Sequence, residues 1–186
     1  MVYRHSPMAT GEGAEILQPL PFNHQHHVQG LGLDCRYCHT AVEKSAKAGF
    51  PDAATCYGCH SEIWKSAPML DPVRKSVEEN HPLYWFQVNR LPDYVYFDHS
   101  IHINKGIGCV SCHGEVSQQA LITQQRSFLM RDCLECHEAP EKNLRPRAEI
   151  TNDQWRATGS TDQEAELVRL YNVRPPPITN CNVCHR

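Results

Sequence analysis

The pattern Cys-x-x-Cys-His occurs five times in this chain of 186 residues, and the five copies use all ten of its cysteines. We number them motif 1 to motif 5 in chain order; they occupy residues 35–39, 56–60, 109–113, 133–137 and 181–185. The pattern is the attachment signature of c-type haem, in which two sulfurs form thioethers with one porphyrin and the adjacent histidine binds the iron. Five copies predict five covalently bound haem c groups.

The motifs assign a role to every cysteine and to five histidines. The predicted thioether ligands are Cys35, Cys38, Cys56, Cys59, Cys109, Cys112, Cys133, Cys136, Cys181 and Cys184. The predicted proximal iron ligands are His39, His60, His113, His137 and His185. Because no cysteine is left over, we expect neither a disulfide nor a nucleophilic thiol.

Two other uses of Cys-x-x-Cys fit the sequence poorly. A tetrahedral zinc site takes such pairs in twos, and this chain has an odd number of pairs. Thioredoxin-like redox chemistry uses one pair near a β-α-β pattern and gives no reason for a histidine after every second cysteine. Haem attachment accounts for both observations.

The composition predicts a fold that depends on its cofactors. Only 8% of the residues are aromatic and the mean hydropathy is −0.54, which is little apolar material for a conventional core, and 13 Pro and 10 Gly favour loops. We therefore expect a mainly α fold with long loops and little sheet, wrapped around five covalently attached haems. The formal net charge of −3 falls to roughly −8 if each haem adds about −1, which argues against nucleic acid and favours a basic redox partner.

An internal duplication organises the chain. Phe22-Asn23-His24-x-x-His27 precedes motif 1, and Phe97-Asp98-His99-x-x-His102 precedes motif 3; we call these segments lead-in 1 and lead-in 2. Two motifs follow each lead-in. The predicted units are an N-terminal extension (1–19), di-haem module 1 (20–66), a linker (67–94), di-haem module 2 (95–140) and a C-terminal tail with the fifth haem (141–186).

Helix start and stop signals predict short helices. The predicted ranges are 41–48 after Thr40, 53–66 after Asp52, 71–80 capped by Asp71 with Pro72 at the first helical position, and 161–171 opened by a capping box of Thr161 and Glu164. A short strand is predicted at 94–97, and no sheet of any size is expected.

The lead-ins supply candidates for the distal iron ligands. Histidines three residues apart on a helix project from one face, so a His-x-x-His pair can serve two different haems. We predict His24, His27, His99 and His102 as distal ligands of four haems, and His26 as a bystander. For the fifth haem we predict Met130, which lies three residues before Cys133, with His81 and Met69 as alternates and with Met8 and His5 as further candidates.

Several segments together resemble a known family over nearly the whole chain. The His-x-x-His and Cys-x-x-Cys-His combination is similar to class III multihaem cytochromes c. The larger pattern resembles the pentahaem cytochrome c subunit of alternative complex III, and its segments are 21–28, 33–39, 70–74, 91–97, 102–109 and 179–186.

This resemblance implies a subunit of a bacterial membrane complex that oxidises quinol. It implies a haem wire between an iron–sulfur subunit and a monohaem cytochrome c, which passes electrons to a periplasmic acceptor. The family usually carries an N-terminal membrane anchor, and residues 1–21 show no charged segment followed by an apolar run. We expect a leader or anchor to be removed or to lie outside this sequence. Membrane contact is then expected through partners or that anchor. The expected location is the periplasmic face of the cytoplasmic membrane, where haem c is attached.

Three functional classes share this haem chemistry. An electron-transfer subunit of a quinol-oxidising complex is the first, and a free periplasmic class III-type carrier is the second. A catalytic multihaem enzyme needs an open iron position, which a variant proximal ligand would indicate, and all five motifs end in His. We therefore expect no catalytic residue and no enzyme activity from this chain by itself.

Overall fold

Short helices separated by long loops make up the fold. The computed structural model describes residues 6–174 and 177–185. Its α-helices are α1 (Pro7–Thr10), α2 (Cys35–Cys38), α3 (Ala53–His60), α4 (Asp71–Glu78), α5 (His99–Asn104), α6 (Val110–His113), α7 (Met130–Glu138), α8 (Thr161–Leu170) and α9 (Cys181–Cys184). A π-helix spans Gln25–Gly30, and 3₁₀ helices span Pro68–Leu70, Val116–Gln118, Pro140–Asn143 and Arg147–Glu149.

Almost no sheet is present, as the composition predicts. Within the described ranges, β pairing is confined to isolated antiparallel bridges that join Glu15 to Thr123, Val95 to His185 and Ile107 to Leu144. The predicted strand at 94–97 is reduced to the bridge at Val95. The mainly helical, loop-rich fold is confirmed.

The predicted helix at 41–48 is wrong, and this segment forms turns and bends instead. The carbonyl oxygens of Ser45 and Ala46 accept hydrogen bonds from the backbone N–H groups of Ser100 and His99, at 3.2 Å each. The Ala41 N–H also donates to the Ala48 carbonyl at 3.3 Å, which brings together two residues that a helix would keep about 10 Å apart. These hydrogen bonds hold the segment in turns against lead-in 2.

The other predicted helices exist, with changed ends. α3 begins where predicted, because the Asp52 carboxylate accepts from the Thr55 N–H at 2.7 Å, but it ends at His60 rather than near residue 66. α4 begins with Asp71 inside its first turn, so Asp71 is not the cap. α8 has Ser160 at its N-cap position with no side-chain cap bond, so the predicted capping box is wrong.

The protein-only core is small. Among the described residues, nine hydrophobic side chains are buried. They form two clusters and a few isolated positions: the first cluster centres on Leu20 and Val73, and the second packs Val42 of module 1 against Ile103 and Ile150. This core is small for a chain of this length, which fits the expectation that covalently bound haem supplies further apolar packing.

The two modules interlock. Lead-in 2 is held by the loop between motifs 1 and 2, through Ser45 and Ala46. Lead-in 1 is held by the loop between motifs 3 and 4, where the Gln25 N–H donates to the Gln119 carbonyl at 3.0 Å. Each lead-in is thus positioned by the opposite module.

The C-terminal tail packs back on the approach to motif 3. The Arg145 N–H donates to the Gly106 carbonyl at 2.8 Å, and the Tyr171 hydroxyl donates to the Arg145 carbonyl at 2.8 Å. Gly106 has a positive φ of 85°, and a Cβ built there would lie 2.3 Å from the Tyr171 ring. The tail can therefore approach the segment before motif 3 closely only because residue 106 is glycine.

Candidate haem-binding sites

Each Cys-x-x-Cys-His motif lies on a short helix that ends within one residue of its histidine. α2 and α9 begin at the first cysteine of their motifs, and capping side chains fix where they start. The Asp34 carboxylate accepts from the Arg36 backbone N–H at 2.8 Å, and the side-chain oxygen of Asn180 accepts from the Asn182 backbone N–H at 3.0 Å. Residues three apart share a helix face, so the two thiols of a motif lie on one side. None of the ten thiols forms a disulfide.

Most motif and lead-in histidines have their Nδ1 atom bound to a backbone carbonyl. A carbonyl only accepts, so Nδ1 carries the proton and Nε2 keeps a lone pair for a metal. The Nδ1 to oxygen pairs are His27 with Asn23 (2.8 Å), His39 with Gly49 (2.8 Å), His60 with Ile63 (3.0 Å), His99 with Ala46 (2.8 Å), His102 with Asp98 (2.7 Å), His137 with Ile178 (2.9 Å) and His185 with Tyr94 (3.3 Å).

The structure brings lead-in histidines opposite motif histidines in pairs. The ring centroids lie 6.2 Å apart for His27 and His60, 6.3 Å for His99 and His113, and 6.2 Å for His102 and His137. Two imidazoles that bind one metal from opposite sides through bonds of about 2 Å have centroids roughly 6.3 Å apart. The three separations therefore fit a metal between the rings.

His24 and His39 form a fourth neighbouring pair. The pKa of His24 is lowered to about 4, first by burial and then by the charges of His39 and His27. Its Nδ1 atom is buried without a hydrogen-bond partner. Burial also lowers the pKa of His113 to about 4 and shifts that of His102 in the same direction. These rings are neutral at physiological pH, as a metal-binding imidazole must be.

A phenylalanine orients both histidines in each lead-in. Its ring stacks on the second histidine, at 4.3 Å and 25° for Phe22 with His27 and at 4.4 Å and 28° for Phe97 with His102. It meets the first histidine edge-on, at 4.8 Å and 86° in both lead-ins. No role for these two rings was predicted from the sequence, although each phenylalanine lies two residues before the first histidine of its lead-in, and this equal spacing was a usable signal.

The candidates for the fifth distal ligand are exposed where the structure describes them. The ring of His185 stacks with Tyr94 at 5.9 Å and 30°. Met130 is the first residue of α7 and is 64% exposed, and His81, Met69 and Met8 are also exposed. His5 lies outside the described residues. His26 stacks with the Trp64 ring at 6.2 Å and 11° and meets the His27 ring of its own lead-in edge-on at 5.3 Å.

Cysteines of different motifs also lie together. One such pair lies across the two modules: the neighbouring thiol is the main reason why the pKa of Cys35 is lowered and that of Cys109 is raised. Elsewhere burial is the main cause of a raised cysteine pKa, and the charge of a cysteine in the adjoining motif comes next. These pairs are Cys56 with Cys38, Cys112 with Cys136, and Cys133 with Cys184.

Two features are absent from the described residues. No group of three or more His, Cys, Asp or Glu side chains converges on a point where it could hold a metal ion. Among the helices found in those ranges, none has the length and apolar character to cross a membrane. The histidines meet in facing pairs instead, which suits a planar metal cofactor with two axial positions.

Comparison with known proteins agrees with this geometry. Residues 95–186, which contain lead-in 2 and motifs 3 to 5, match the family described as cytochrome c7 and related cytochrome c. The chain carries a cytochrome c7-like multihaem domain. A multihaem cytochrome of this kind binds haem c covalently and transfers electrons.

A curated relative extends the similarity to most of the chain. The multihaem cytochrome c subunit of menaquinone reductase from Nitratidesulfovibrio vulgaris is 29% identical over 177 residues, which cover 91% of this chain and 77% of that protein. The aligned region therefore extends beyond the cytochrome c7-like part, residues 95–186, and covers nearly all of the chain. This chain is therefore similar to an electron-transfer subunit that works within a larger complex.

Proposed function

We propose that this chain is the electron-transfer subunit of a membrane-bound, quinol-oxidising respiratory complex of the alternative complex III type. In this proposal it carries five haem c groups and passes electrons from iron–sulfur centres towards a monohaem cytochrome c or another periplasmic acceptor. It acts on the extracytoplasmic face of the membrane and reaches the membrane through partners or an N-terminal anchor. The observation that carries the proposal is the facing of three lead-in histidines and three motif histidines at 6.2–6.3 Å.

The ligand assignment follows the pairs. His24 serves with His39, His27 with His60, His99 with His113, and His102 with His137. The first histidine of each lead-in thus serves the first motif of its module and the second histidine serves the second. His185 pairs with Met130, for which His81 and Met69 are the alternates. Haem supplies reversible one-electron chemistry at each of these sites.

Paired axial ligands favour electron transfer over catalysis. A histidine on each side of the iron leaves no open coordination position for a substrate. Carbonyl groups on Nδ1 hold the rings in one orientation and raise their basicity, which keeps the ligands in place in both oxidation states. The chain therefore orients and protects the metal sites, and none of its residues needs to act as an acid or a base.

The cysteine contacts support a single path. Motif 2 adjoins motif 1 through Cys56 and Cys38, and motif 1 adjoins motif 3 through Cys35 and Cys109. Motif 3 then adjoins motif 4, and motif 4 adjoins motif 5, through the remaining pairs. From these neighbours we infer the order 2, 1, 3, 4, 5 for the attachment sites, in which motif 2 and motif 5 would be the two ends that exchange electrons with partner subunits.

A second candidate function differs in the direction of flow. The relative from N. vulgaris is a subunit of a menaquinone reductase. Its name favours a complex in which the same order of sites delivers electrons towards quinone. The choice between the two directions depends on the partner subunits, because the sites themselves are reversible carriers.

Co-purification from solubilised membranes tests the proposal. A tagged chain should bring down an iron–sulfur subunit, and the complex should reduce a periplasmic cytochrome c with added quinol. The isolated chain should accept electrons from dithionite and should not oxidise quinol. Recovery of the native chain as a free monomer would instead support a free periplasmic carrier, and reduction of quinone without quinol oxidation would support the second candidate.

A further inference from the structure

The proximal histidine of motif 3 is held differently from the others. Seven of the nine paired or motif histidines have Nδ1 on a backbone carbonyl, and the Nδ1 of His24 has no partner. His113 alone meets a side chain: its Nδ1 lies 3.1 Å from Nδ2 of Asn89. Asn89 lies in the linker between the modules.

The orientation of the Asn89 amide follows from metal binding. With Nδ2 towards His113, the amide donates, so Nδ1 would need a lone pair and the proton would sit on Nε2, where iron must bind. The amide oxygen and nitrogen occupy nearly equivalent positions and are assigned from the hydrogen-bond network. Oδ1 is buried without a partner in the present orientation. Because either orientation leaves one buried amide atom unpaired, hydrogen bonding alone does not choose between them. Metal binding at Nε2 does, because it places the proton on Nδ1. Oδ1 therefore faces His113 and accepts from Nδ1–H.

We propose that Asn89 is a positioning residue for His113 that sets the reduction potential of the motif 3 site. This inference rests on the proposed function, because it requires His113 to bind iron. An acceptor on Nδ1 makes the imidazole a stronger donor, and a stronger donor favours ferric iron. A backbone carbonyl cannot be changed by substitution, whereas the acceptor on His113 can be strengthened or removed by a single change.

The position of the motif 3 site makes its reduction potential important for electron transfer through the chain. Motif 3 is the middle of the inferred order, and it joins the modules, because the His99 ring that lies 6.3 Å from His113 is held by the Ala46 carbonyl of module 1 at 2.8 Å. Electrons that travel from either end pass through it. A side chain of the linker therefore adjusts the site on which transfer between the modules depends.

Two opposite variants of the complete haem-loaded chain test the inference at pH 7. Asn89→Asp presents a stronger, charged acceptor and should lower one midpoint potential. Asn89→Leu removes the acceptor and should raise the same midpoint. Each should change the ferrous-to-ferric ratio of that haem at least threefold at the wild-type midpoint, or roughly 30 mV for one electron. Gln87→Leu is the control for the local backbone, because the Gln87 amide donates to the Asn89 backbone carbonyl at 2.8 Å and the change leaves the Asn89 side chain in place.

Redox titration followed by electron paramagnetic resonance provides the readout. Opposite shifts of one low-spin signal, with Gln87→Leu unchanged, support the inference. Unchanged midpoints in both variants, or shifts in the same direction, overturn it; if Asn89→Leu loses a haem, the direction of the Asn89→Asp shift decides. His113→Ala separates the two proposals: failure to lose a low-spin haem there contradicts the ligand assignment, whereas success with unshifted Asn89 variants contradicts only the role of Asn89.

Discussion

The imidazole rings of His99 and His113 face each other with their planes 4° apart and their centroids 6.3 Å apart. His99 belongs to lead-in 2, yet its Nδ1 donates to the Ala46 carbonyl of module 1 at 2.8 Å. The motif 3 site is therefore built by both modules. This arrangement explains why the two modules cannot be treated as independent units.

Replacing a paired lead-in histidine should open one iron. In His99→Ala, the haem of motif 3 loses its distal ligand and should convert from low spin to high spin, while the other haems stay low spin. Electron paramagnetic resonance of the oxidised protein measures this. His26→Ala is the control, because the His26 ring faces Trp64 and should leave the spectrum unchanged. A wholly low-spin His99→Ala protein would remove His99 from the ligand set.

The Asp34 carboxylate should stabilise the protein in a pH-dependent way. Its pKa is lowered to about 2, chiefly by the Arg36 side chain, with a further hydrogen bond from Thr151. The stabilisation is present above the unfolded pKa of about 3.9 and is lost as the pH falls from there towards 2. Asn is also a good cap, so Asp34→Asn removes the charge and keeps the cap at α2.

We expect Asp34→Asn to lower the free energy of unfolding by less than about 1 kcal/mol at pH 7, because the Arg36–Asp34 pair is about 40% exposed. Denaturant unfolding at pH 7, 4 and 2.5 checks this. The difference from the wild type should shrink as the pH falls. An equal difference at all three pH values would show that ionisation of Asp34 is not the cause.

Close packing of the tail predicts a large effect at one glycine. Gly106→Ala should destabilise the protein by about 2–4 kcal/mol, since it combines a positive φ with a clash against the Tyr171 ring. Gly11→Ala is the matched control: Gly11 has a φ of 76° with open space around it, so about 1–2 kcal/mol is expected. Equal losses in denaturant unfolding would mean that Tyr171 does not hold the tail in place.

The sequence predicted the haem chemistry better than the local folding. Covalent attachment of haem requires residues within five positions of one another, so motifs and lead-ins are visible directly in the chain. The groups that hold the histidines in place are not visible in the sequence. They are the backbone carbonyls of Gly49, Ala46 and Ile178, and every residue type has such a carbonyl. The failed helix at 41–48 has the same origin, because tertiary hydrogen bonds outweigh local propensity there. Asn89 lies 24 residues from His113 and forms no pattern with it.

The fifth distal ligand is the least constrained assignment. If Met130 binds the haem of motif 5, a neutral thioether donates less to ferric iron than imidazole does, so that haem should have the highest potential in the chain. Oxidised protein should show a weak sulfur charge-transfer band near the far red. Met130→His should abolish the band and lower one midpoint. An unchanged band and unchanged midpoints in Met130→Ala would move the assignment to His81 or Met69.

Covalent haem content per chain is the most direct test of the account as a whole. The purified native protein should keep its haem through acid-acetone extraction, and pyridine haemochrome quantitation against protein concentration should give five haems per chain with no appreciable zinc. This result is predicted because five Cys-x-x-Cys-His motifs use all ten cysteines. Two or three haems per chain, or zinc in amounts comparable to the protein, would contradict it.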